Sequence, residues 1–185
     1  MKIIAFVGMP ASGKTEASNV ARCMGIPVVT MGDVIRKEVA IRNADPSDGG
    51  KIANELREKE GMDAIAKRCI PLIQEKIYSG KSDIIVIDGV RGIDEVNYFR
   101  EHLGDGFVLV SIAIDASIEE RFKRVLKRKR SDDMDTIKEL EKRDNLESGW
   151  GMTDAIDAAD ITISNSSDLK EFHETIRELF EEMGN

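Results

Sequence analysis

The stretch Gly8-Met9-Pro10-Ala11-Ser12-Gly13-Lys14-Thr15 decides the fold of this 185-residue chain. It has the spacing G-x-x-x-x-G-K-[ST] of a P-loop, whose backbone N–H groups wrap the phosphates of a nucleoside triphosphate. Gly8 and Gly13 allow the tight turn that points these groups inward. Lys14 can reach the β- and γ-phosphates, and the Thr15 hydroxyl can bind Mg²⁺. The sequence therefore predicts that all eight residues bind a nucleotide.

The segments on either side of this loop fit the same interpretation. Residues 2–7 form an apolar run typical of a buried strand, and residues 15–24 carry apolar side chains at helical spacing. Gly25 then ends the helix. A strand, a loop and a helix in this order direct the N-terminus of the helix at an anion. This context disfavours the alternative of a glycine-rich turn that binds nothing.

Composition and charge exclude several classes of protein. The chain is 41% hydrophobic and 34% charged, which is typical of one globular domain. Its formal net charge of −8 argues against a general nucleic-acid binder. No apolar run approaches the length of a membrane span. Cys23 and Cys69 lack metal-ligand spacing, so we expect reduced core thiols of a cytoplasmic protein rather than a disulfide or a metal site.

Strand-like and helical segments alternate along the chain. Five predicted strands cover residues 2–7, 26–30, 82–88, 107–114 and 160–164. Such alternation predicts βαβ units and an α/β fold, with a five-stranded parallel sheet between two helical layers. We therefore expect one domain over residues 1–185, with a helical insertion at about 31–80 and a lid at about 124–150.

The insertion contains several local signals. Residues 31–36 open a helix with Asp33 placed as its N-cap. Turn-forming residues over 43–50 predict an exposed loop, and Gly61 divides two helices at 51–59 and 63–78. Pro71 should kink the second helix or mark a restart. Further helices are expected at about 93–103, 117–129, 135–146 and 168–182.

Ligands of such sheets bind at the carboxyl ends of the strands, where acids follow two of the buried runs. Asp88 ends one β-branched run and Asp115 ends another. Asp88 is a candidate for orienting Mg²⁺, directly or through water, as the acid of a Walker-B-like strand end. The alternative is an acid that simply terminates the strand.

A basic cluster stands out at 121–130 in this acidic chain. Arg121, Arg124 and Arg128 share one helical face by i,i+3 and i,i+4 spacing. A solvated face paired with Glu119 and Glu120 is one interpretation. The other is a lid whose arginines close over the triphosphate, because phosphoryl transfer spreads negative charge over the γ-phosphoryl oxygens. The segment after it, through Trp150, is poor in core residues and suggests a mobile flap.

These motifs together resemble the nucleoside monophosphate kinase group of P-loop proteins. The resemblance rests on the P-loop, on Gly32-Asp33-x-x-Arg36, on Asp88-Gly89-x-Arg91 and on the arginine-rich lid. The segment from Arg143 through Asp160-Ile161-Thr162-Ile163-Ser164-Asn165 resembles the closing part of dephospho-CoA kinase. Over nearly its whole length, the chain resembles an archaeal family of P-loop kinase-like proteins related to both groups.

The resemblance implies a role for each matching residue. Arg36 and Arg91 would grip the phosphate of an acceptor, and Asp33 would orient the attacking oxygen. Arg124 and Arg128 of the lid, with Arg143, would clamp the donor ATP, and Asn165 would lie near the donor base. Lys14, Asp33, Arg124 and Arg128 are thus the candidate catalytic residues. The turn Asp88-Gly89-Val90-Arg91 is one residue shorter than its adenylate kinase counterpart. The pattern Asp88-x-x-Arg91-x-x-x-Glu95 resembles phage-type deoxynucleotide kinases and phosphomevalonate kinase equally well, which leaves the acceptor open.

Two classes of function fit these residues. The first is a kinase that moves the γ-phosphoryl group of ATP to a small phosphorylated acceptor, a nucleoside monophosphate or dephospho-CoA. The second is an ATP-binding switch or ATPase that controls a partner protein. A GTPase is disfavoured because the sequence has no Asn-Lys-x-Asp motif. A second anion site made of Arg36 and Arg91 favours the kinase.

Overall fold

The computed structural model describes residues 1–80, 82–104, 106–128 and 134–184, with the side chain of Arg128 outside the described part. The strands are β1 (Lys2–Val7), β2 (Val28–Thr30), β3 (Ile84–Asp88), β4 (Val108–Asp115) and β5 (Ile161–Ser164). The helices are α1 (Lys14–Cys23), α2 (Met31–Ile41), α3 (Gly49–Glu60), α4 (Ala64–Tyr78), α5 (Ile93–His102), α6 (Ile118–Arg128), α7 (Ile137–Gly149), α8 (Met152–Asp157) and α9 (Leu169–Gly184). A short 3-10 helix, Pro46–Asp48, precedes α3.

The five strands form one parallel sheet in the order β2-β3-β1-β4-β5. β1 lies in the centre, where Ile3 pairs with Ile85 on one side and with Leu109 on the other. Helices cover both faces of the sheet at β1, which explains why residues 2–7 are apolar almost throughout. The predicted five-stranded parallel α/β sheet is confirmed.

Side chains that alternate along β1 enter two separate cores. Ile3 and its alternate neighbours pack with α4, α5 and α8, whereas Ile4 and Phe6 pack with α1 and α9. The ring of Phe6 meets that of Phe180 edge to face, with the centroids 6.1 Å apart. The sheet therefore lies between two helical layers. A smaller core joins α2, α3 and α4 beside the sheet.

Four local predictions for the first half of the chain are wrong in whole or in part. α2 begins at Met31, directly after β2, so Asp33 lies inside the first turn and Thr30 takes the N-cap position. Pro71 lies inside the single helix α4, so the expected restart is wrong, while the alternative of a kink stays a prediction. Cys23 is exposed, while Cys69 is buried and both are free thiols. The expected loop 43–50 is also shorter, because Pro46–Asp48 is a 3-10 helix and α3 starts at Gly49.

The expected mobile flap before Trp150 is a packed helix in the structure. α7 begins with a capping box between Thr136 and Glu139. Leu140 and Glu147 of this helix are fully buried, and α8 follows at once with Met152 in the core. Few apolar residues sufficed to bury α7 because ion pairs attach it to its neighbours. Across the described ranges, no helix combines the length and apolar character needed to cross a bilayer.

Candidate active site

The P-loop adopts backbone conformations that its glycines permit. Gly8 has φ +148° and Gly13 has φ +124°, and Ala11 between them has φ +61°. A Cβ added at Gly8 would lie 2.7 Å from the carbonyl oxygen of Ile114, so no larger residue fits there. The amide of Gly8 donates to Sδ of the buried Met152 at 3.3 Å, which fixes the start of the loop. The loop thus connects the end of β1 to the N-terminus of α1, as predicted.

Lys14 lies at the centre of the loop. Its Nζ donates to the carbonyl oxygen of Met9 at 3.0 Å and to that of Gly8. Burial lowers the pKa of Lys14 to about 8, with opposing contributions from Glu147 and Asp88 that raise it and from Arg91 and Arg121 that lower it. Four charged side chains from β3, the β3–α5 turn, α6 and α7 are therefore close enough to act on this ammonium group.

Thr15 and Asp88 are the predicted magnesium residues. Thr15 is exposed in the first turn of α1, and Asp88 is buried at the end of β3. Oδ2 of Asp88 lies 3.5 Å from Nη2 of Arg22, which also donates to Oγ1 of Thr30. In the part of the chain that is described, no three acidic, histidine or cysteine side chains group as a metal site. The hydroxyl of Thr15 and the carboxylate of Asp88 nevertheless fit Mg²⁺, which keeps several waters and takes its other ligands from nucleotide phosphates.

Two arginines of α6 contact the P-loop backbone. Arg121 is buried, donates to the carbonyl oxygen of Pro10 at 3.1 Å, and forms a bidentate ion pair with Asp144 at 2.8 and 2.7 Å. Arg124 donates to the carbonyl oxygen of Ser12 at 3.0 Å and to that of Asn165. Burial is the main reason why the pKa of Arg124 is lowered. Hence this face of α6 rests on the loop instead of being solvated, while the side chain of Arg128 lies outside the described residues.

Asn165 attaches the end of β5 to the same loop. Its Nδ2 donates to the carbonyl oxygen of Ser12 at 2.7 Å, and its backbone N–H donates to Asp115 at 2.7 Å. A Cβ at Gly13 would clash with this amide, which explains the second glycine of the motif. The side chain of Asn165 therefore supports the loop. A contact between Asn165 and the donor base stays a prediction.

On the acceptor side, Asp33 and Arg36 form an ion pair at the start of α2. Nε of Arg36 donates to Oδ1 of Asp33 at 3.0 Å, and the Arg36 side chain is 68% exposed. The turn at Gly89 adjoins this helix end, since a Cβ at Gly89 would lie 3.5 Å from the Cβ of Met31. The predicted acceptor residues of α2 thus lie near the carboxyl end of β3 and are accessible.

Arg91 is held by two carboxylates that the sequence did not reveal as partners. Its backbone N–H donates to Oε2 of Glu95 at 2.7 Å, and its Nη1 donates to Oε1 of Glu147 at 2.8 Å. Glu95 also accepts from Nη2 of the buried Arg57 at 3.2 Å. Burial raises the pKa of Glu95, although Arg57 opposes the shift. Arg36 and Arg91 therefore bond to different carboxylates, and their joint grip on one phosphate stays a prediction.

Arg143 and Trp150 complete the lid side of the site. Nε of Arg143 donates to Oε1 of Glu147 at 3.1 Å, so Arg91 and Arg143 share one carboxylate oxygen. The guanidinium carbons of Arg57 and Arg143 lie 5.3 and 5.7 Å from the centroid of the Trp150 ring. The backbone of Trp150 packs so closely on Gly92 that a Cβ there would overlap its carbonyl oxygen. Contact of Arg143 with a donor nucleotide stays a prediction.

Several of these residues were missed by sequence reasoning. They are Arg22, Arg57, Asp144, Glu147 and Met152. Only the i,i+4 spacing of Arg143 and Glu147 is a local signal. The other partners come from distant segments, and nothing in the local pattern of either segment points to the other.

Comparisons with known proteins agree with this geometry. The model of a family described as AAA domain matches residues 7–141. Among solved structures, a Thermus thermophilus protein, TT1252, superposes with a TM-score of 0.67 at 16% identity over 99% of this chain and 98% of its own. Dephospho-CoA kinase from Campylobacter jejuni superposes with a TM-score of 0.62 at 13% identity over 100% of this chain and 98% of its own. At these identities the likeness shows the fold, which is that of P-loop kinases.

Sequence relatives are much closer. A UPF0200 protein of Methanosarcina barkeri is 55% identical over 181 residues, which cover 97% of this chain and 94% of the relative. The UPF0200/UPF0201 protein of Archaeoglobus fulgidus is 52% identical over 181 residues, which cover 97% of this chain but 55% of that longer protein. With a P-loop domain of kinase-like fold and relatives at these identities, the chain belongs to the UPF0200 family of archaeal proteins.

Proposed function

We propose that this protein is an ATP-dependent kinase that transfers the γ-phosphoryl group to a small phosphorylated acceptor. The observation that carries this proposal is the group of charged side chains around Lys14. Arg91 and Arg121 come from outside the P-loop, and both act on the Lys14 ammonium. Phosphoryl transfer needs cations on several sides of the γ-phosphoryl group, because the transition state spreads charge over its equatorial oxygens. A loop that only binds nucleotide needs no such enclosure.

Donor binding would involve the P-loop and α6. The backbone N–H groups of the loop and Lys14 would bind the β- and γ-phosphates of ATP. Arg124, which donates to the carbonyl oxygen of Ser12, would approach the same phosphates, and so would Arg128, which follows one turn later on the same helix. Thr15 and Asp88 would hold Mg²⁺, which neutralises charge on the β- and γ-oxygens.

Acceptor binding would involve Arg36 and Arg91. Arg offers paired donors to phosphate oxygens, and both side chains are at least partly exposed near the end of β3. Asp33 would orient the attacking oxygen as it bonds to the γ-phosphorus and the bridging oxygen leaves with ADP. Where that oxygen is a hydroxyl, as in dephospho-CoA, Asp33 would also take its proton; a phosphate oxygen of a nucleoside monophosphate attacks without one. Dephospho-CoA kinase shares the fold, so dephospho-CoA is one acceptor class, beside nucleoside monophosphates.

The second candidate is an ATP-binding switch or ATPase that acts on a partner protein. One observation favours it: the Archaeoglobus fulgidus relative contains the matching segment in only 55% of its length and carries two family designations. A second unit in the same chain is compatible with a P-loop domain that acts together with another protein. A switch would hydrolyse ATP without a small acceptor.

The test is a screen of phosphorylated metabolites with radiolabelled ATP and Mg²⁺, run with variants. Lys14→Ala should abolish transfer and ATP binding. Arg36→Ala should keep ATP affinity, and Arg91→Ala should weaken it only about 3- to 10-fold, because one positive charge near Lys14 is lost. Both should lose about 10- to 150-fold in acceptor kcat/KM, which is what one charge-assisted contact contributes. Arg177→Ala, an exposed change on α9, is the matched control and should behave as the parent.

The outcomes separate the two candidates. Label appearing in an acceptor, with selective defects in the Arg36 and Arg91 variants, supports the kinase. Label released only as inorganic phosphate, whatever the acceptor, refutes the kinase and favours the switch. Loss of ATP affinity in both arginine variants would contradict the assignment of those side chains to the acceptor.

A further inference from the structure

Glu147 is a buried carboxylate surrounded by cations. Its side chain is 1% exposed, and its Oε1 accepts from both Arg91 and Arg143. Its Oε2 is equally buried and has no hydrogen-bond partner. Of the charged side chains near Lys14, Glu147 has the strongest effect on the pKa of that ammonium group, and it raises this pKa. One side chain of α7 is thus linked to the P-loop lysine, to the β3–α5 turn and to its own helix.

Holding α7 in place does not account for this arrangement. The helix is already attached by the buried Leu140 and by the ion pair of Asp144 with Arg121. An unpartnered buried carboxylate oxygen is costly, because it loses water without gaining a hydrogen bond. A neutral side chain of similar shape would fill the space without this penalty. The charge itself therefore calls for an explanation.

Arg91 shows what the charge accomplishes. Glu95 fixes its backbone, and Glu147 binds Nη1 alone. Within the described residues, Nε and Nη2 of Arg91 have no hydrogen-bond partner, and the side chain is 38% exposed. A guanidinium held at one corner by a carboxylate presents its remaining donors in a fixed direction, which suits a phosphate group.

We propose that Glu147 is a positioning residue of the phosphate site, which orients Arg91 and Arg143 and offsets part of the positive charge around Lys14. The inference rests on the proposed function, since it assigns Arg91 to the acceptor and Lys14 to the donor. Glu147 touches neither substrate. It acts through the three cations, and it makes α7 the element that aligns the donor side with the acceptor side.

This role has a consequence that a structural role lacks. Removing a negative charge from beside Lys14 makes the site more positive, so phosphate anions bind more tightly in the ground state. The same change frees Arg91 and Arg143 from their shared anchor, so the transition state is stabilised less. Affinity and turnover should therefore move in opposite directions. A merely structural residue would weaken both together with stability.

The experiment compares Glu147→Gln with Glu141→Gln, an exposed change on the same helix. Both constants are measured at about pH 6.5, because Glu147 raises the pKa of Lys14 and its loss must not discharge that lysine. Calorimetry with a non-hydrolysable ATP analogue and Mg²⁺ gives Kd, and the radiolabel assay gives kcat. For Glu147→Gln we expect a Kd about 3- to 10-fold lower. We expect a kcat about 10- to 100-fold lower, which is the effect of losing one charge-assisted hydrogen bond. Glu141→Gln should match the parent in both. Glu147→Asp keeps the charge but is too short to reach both arginines, so it should lower kcat without lowering Kd.

A double-variant cycle tests whether Glu147 acts through Arg91. Arg91→Ala combined with Glu147→Gln should lose clearly less kcat than the sum of the two single effects, because coupled groups are not additive. Full additivity, or a kcat of Glu147→Gln equal to that of Glu141→Gln, would overturn the proposal. If the parent transfers no phosphoryl group, the proposed function fails, and Kd alone decides this inference. An unchanged or higher Kd in Glu147→Gln then refutes the role of Glu147. A variant that unfolds at the same temperature as the parent shows that misfolding did not cause this result.

Discussion

The buried ammonium group of Lys14 predicts an unusual pH dependence of nucleotide binding. Its pKa is lowered from 10.5 to about 8, chiefly by burial. A triphosphate beside Nζ favours the charged form and raises the pKa again. The nucleotide-free protein therefore loses this proton as pH rises through about 8, whereas the complex keeps it. Binding must take up a proton above that pH, so affinity falls as pH rises.

The size of the fall in affinity follows from the pKa of Lys14 in the nucleotide-free protein and its pKa in the complex. Affinity should be constant below about pH 7.5 and then fall by up to tenfold for each pH unit. Between pH 7 and pH 9 the expected loss is roughly tenfold. The interval from about 8 to 10.5 limits the total loss to roughly 300-fold if the complex restores the ordinary pKa. The nucleotide phosphates add no slope here, since their last ionisation lies near pH 6.

Calorimetry with a non-hydrolysable ATP analogue at pH 7, 8, 9 and 9.5 tests this reasoning. Two buffers of different ionisation enthalpy at each pH give the number of protons taken up, which should rise toward one. Lys14→Arg is the control, because a guanidinium stays protonated throughout this range and should bind with flat affinity. Constant affinity in the parent, or an equal slope in Lys14→Arg, would show that Lys14 does not titrate near pH 8.

Three further predictions concern the packing around the site. Gly92→Ala places a Cβ against the carbonyl oxygen of Trp150 and should lower the free energy of unfolding by about 1–3 kcal/mol, as overpacking does. Urea titration measures this loss, and Gly50→Ala, where a Cβ meets nothing, is the control that should show none. Equal stability of both variants would contradict the clash. Asp144→Asn leaves the buried Arg121 without its anion and should lower the free energy of unfolding, measured by urea titration, by about 3 kcal/mol. The double change Arg121→Met with Asp144→Leu should recover most of this stability. No recovery would mean that the unpaired charge of Arg121 is not the cause of the loss. Trp150 lies between α7 and α8 beside Arg143, so its fluorescence should change more on adding Mg-ATP than on adding Mg-AMP. An unchanged spectrum at saturation would show that α7 does not respond to the donor.

The P-loop and the sheet could be predicted from sequence because their signals are local. The loop motif fixes the residues between β1 and α1, and the β-branched run before Asp88 is buried on both faces as expected. Parallel pairing follows from the alternation of strands and helices. Thus the donor half of the candidate site was visible in one short stretch and its flanking elements.

Local signals failed where a neighbouring element decided the outcome. Asp33 is a good N-cap residue, but β2 runs directly into α2, so the helix starts before Asp33 is reached. Pro71 remains within a helix whose neighbours Cys69 and Ile73 are buried. Cys23 lies off the apolar stripe of α1 and is therefore exposed despite its residue type.

Most charged partners of the site could not be predicted, because the paired residues lie in distant segments; the i,i+4 pair of Arg143 and Glu147 is an exception. Glu147 lies 56 residues from Arg91, and Glu95 lies 38 residues from Arg57. Each of these residues, taken alone, is a typical surface residue of a helix or turn. The packing of α3, α5 and α7 in the fold buries Arg57, Glu95 and Glu147, whereas the side chain of Arg91 stays 38% exposed. Burial of a charge is a property of the fold and has no local pattern of its own.

The bond between Asn165 and Ser12 has a consequence for synthesis of the chain. The two residues are separated by 153 positions. At about 5–20 residues per second, a ribosome takes roughly 8–30 s to add Asn165 after Ser12. During that time the phosphate-binding loop has emerged, but β5 and the amide that supports the loop have not been made. A nascent chain therefore carries the P-loop without this support, so the nucleotide binding proposed above should begin only once the sheet has received its last strand.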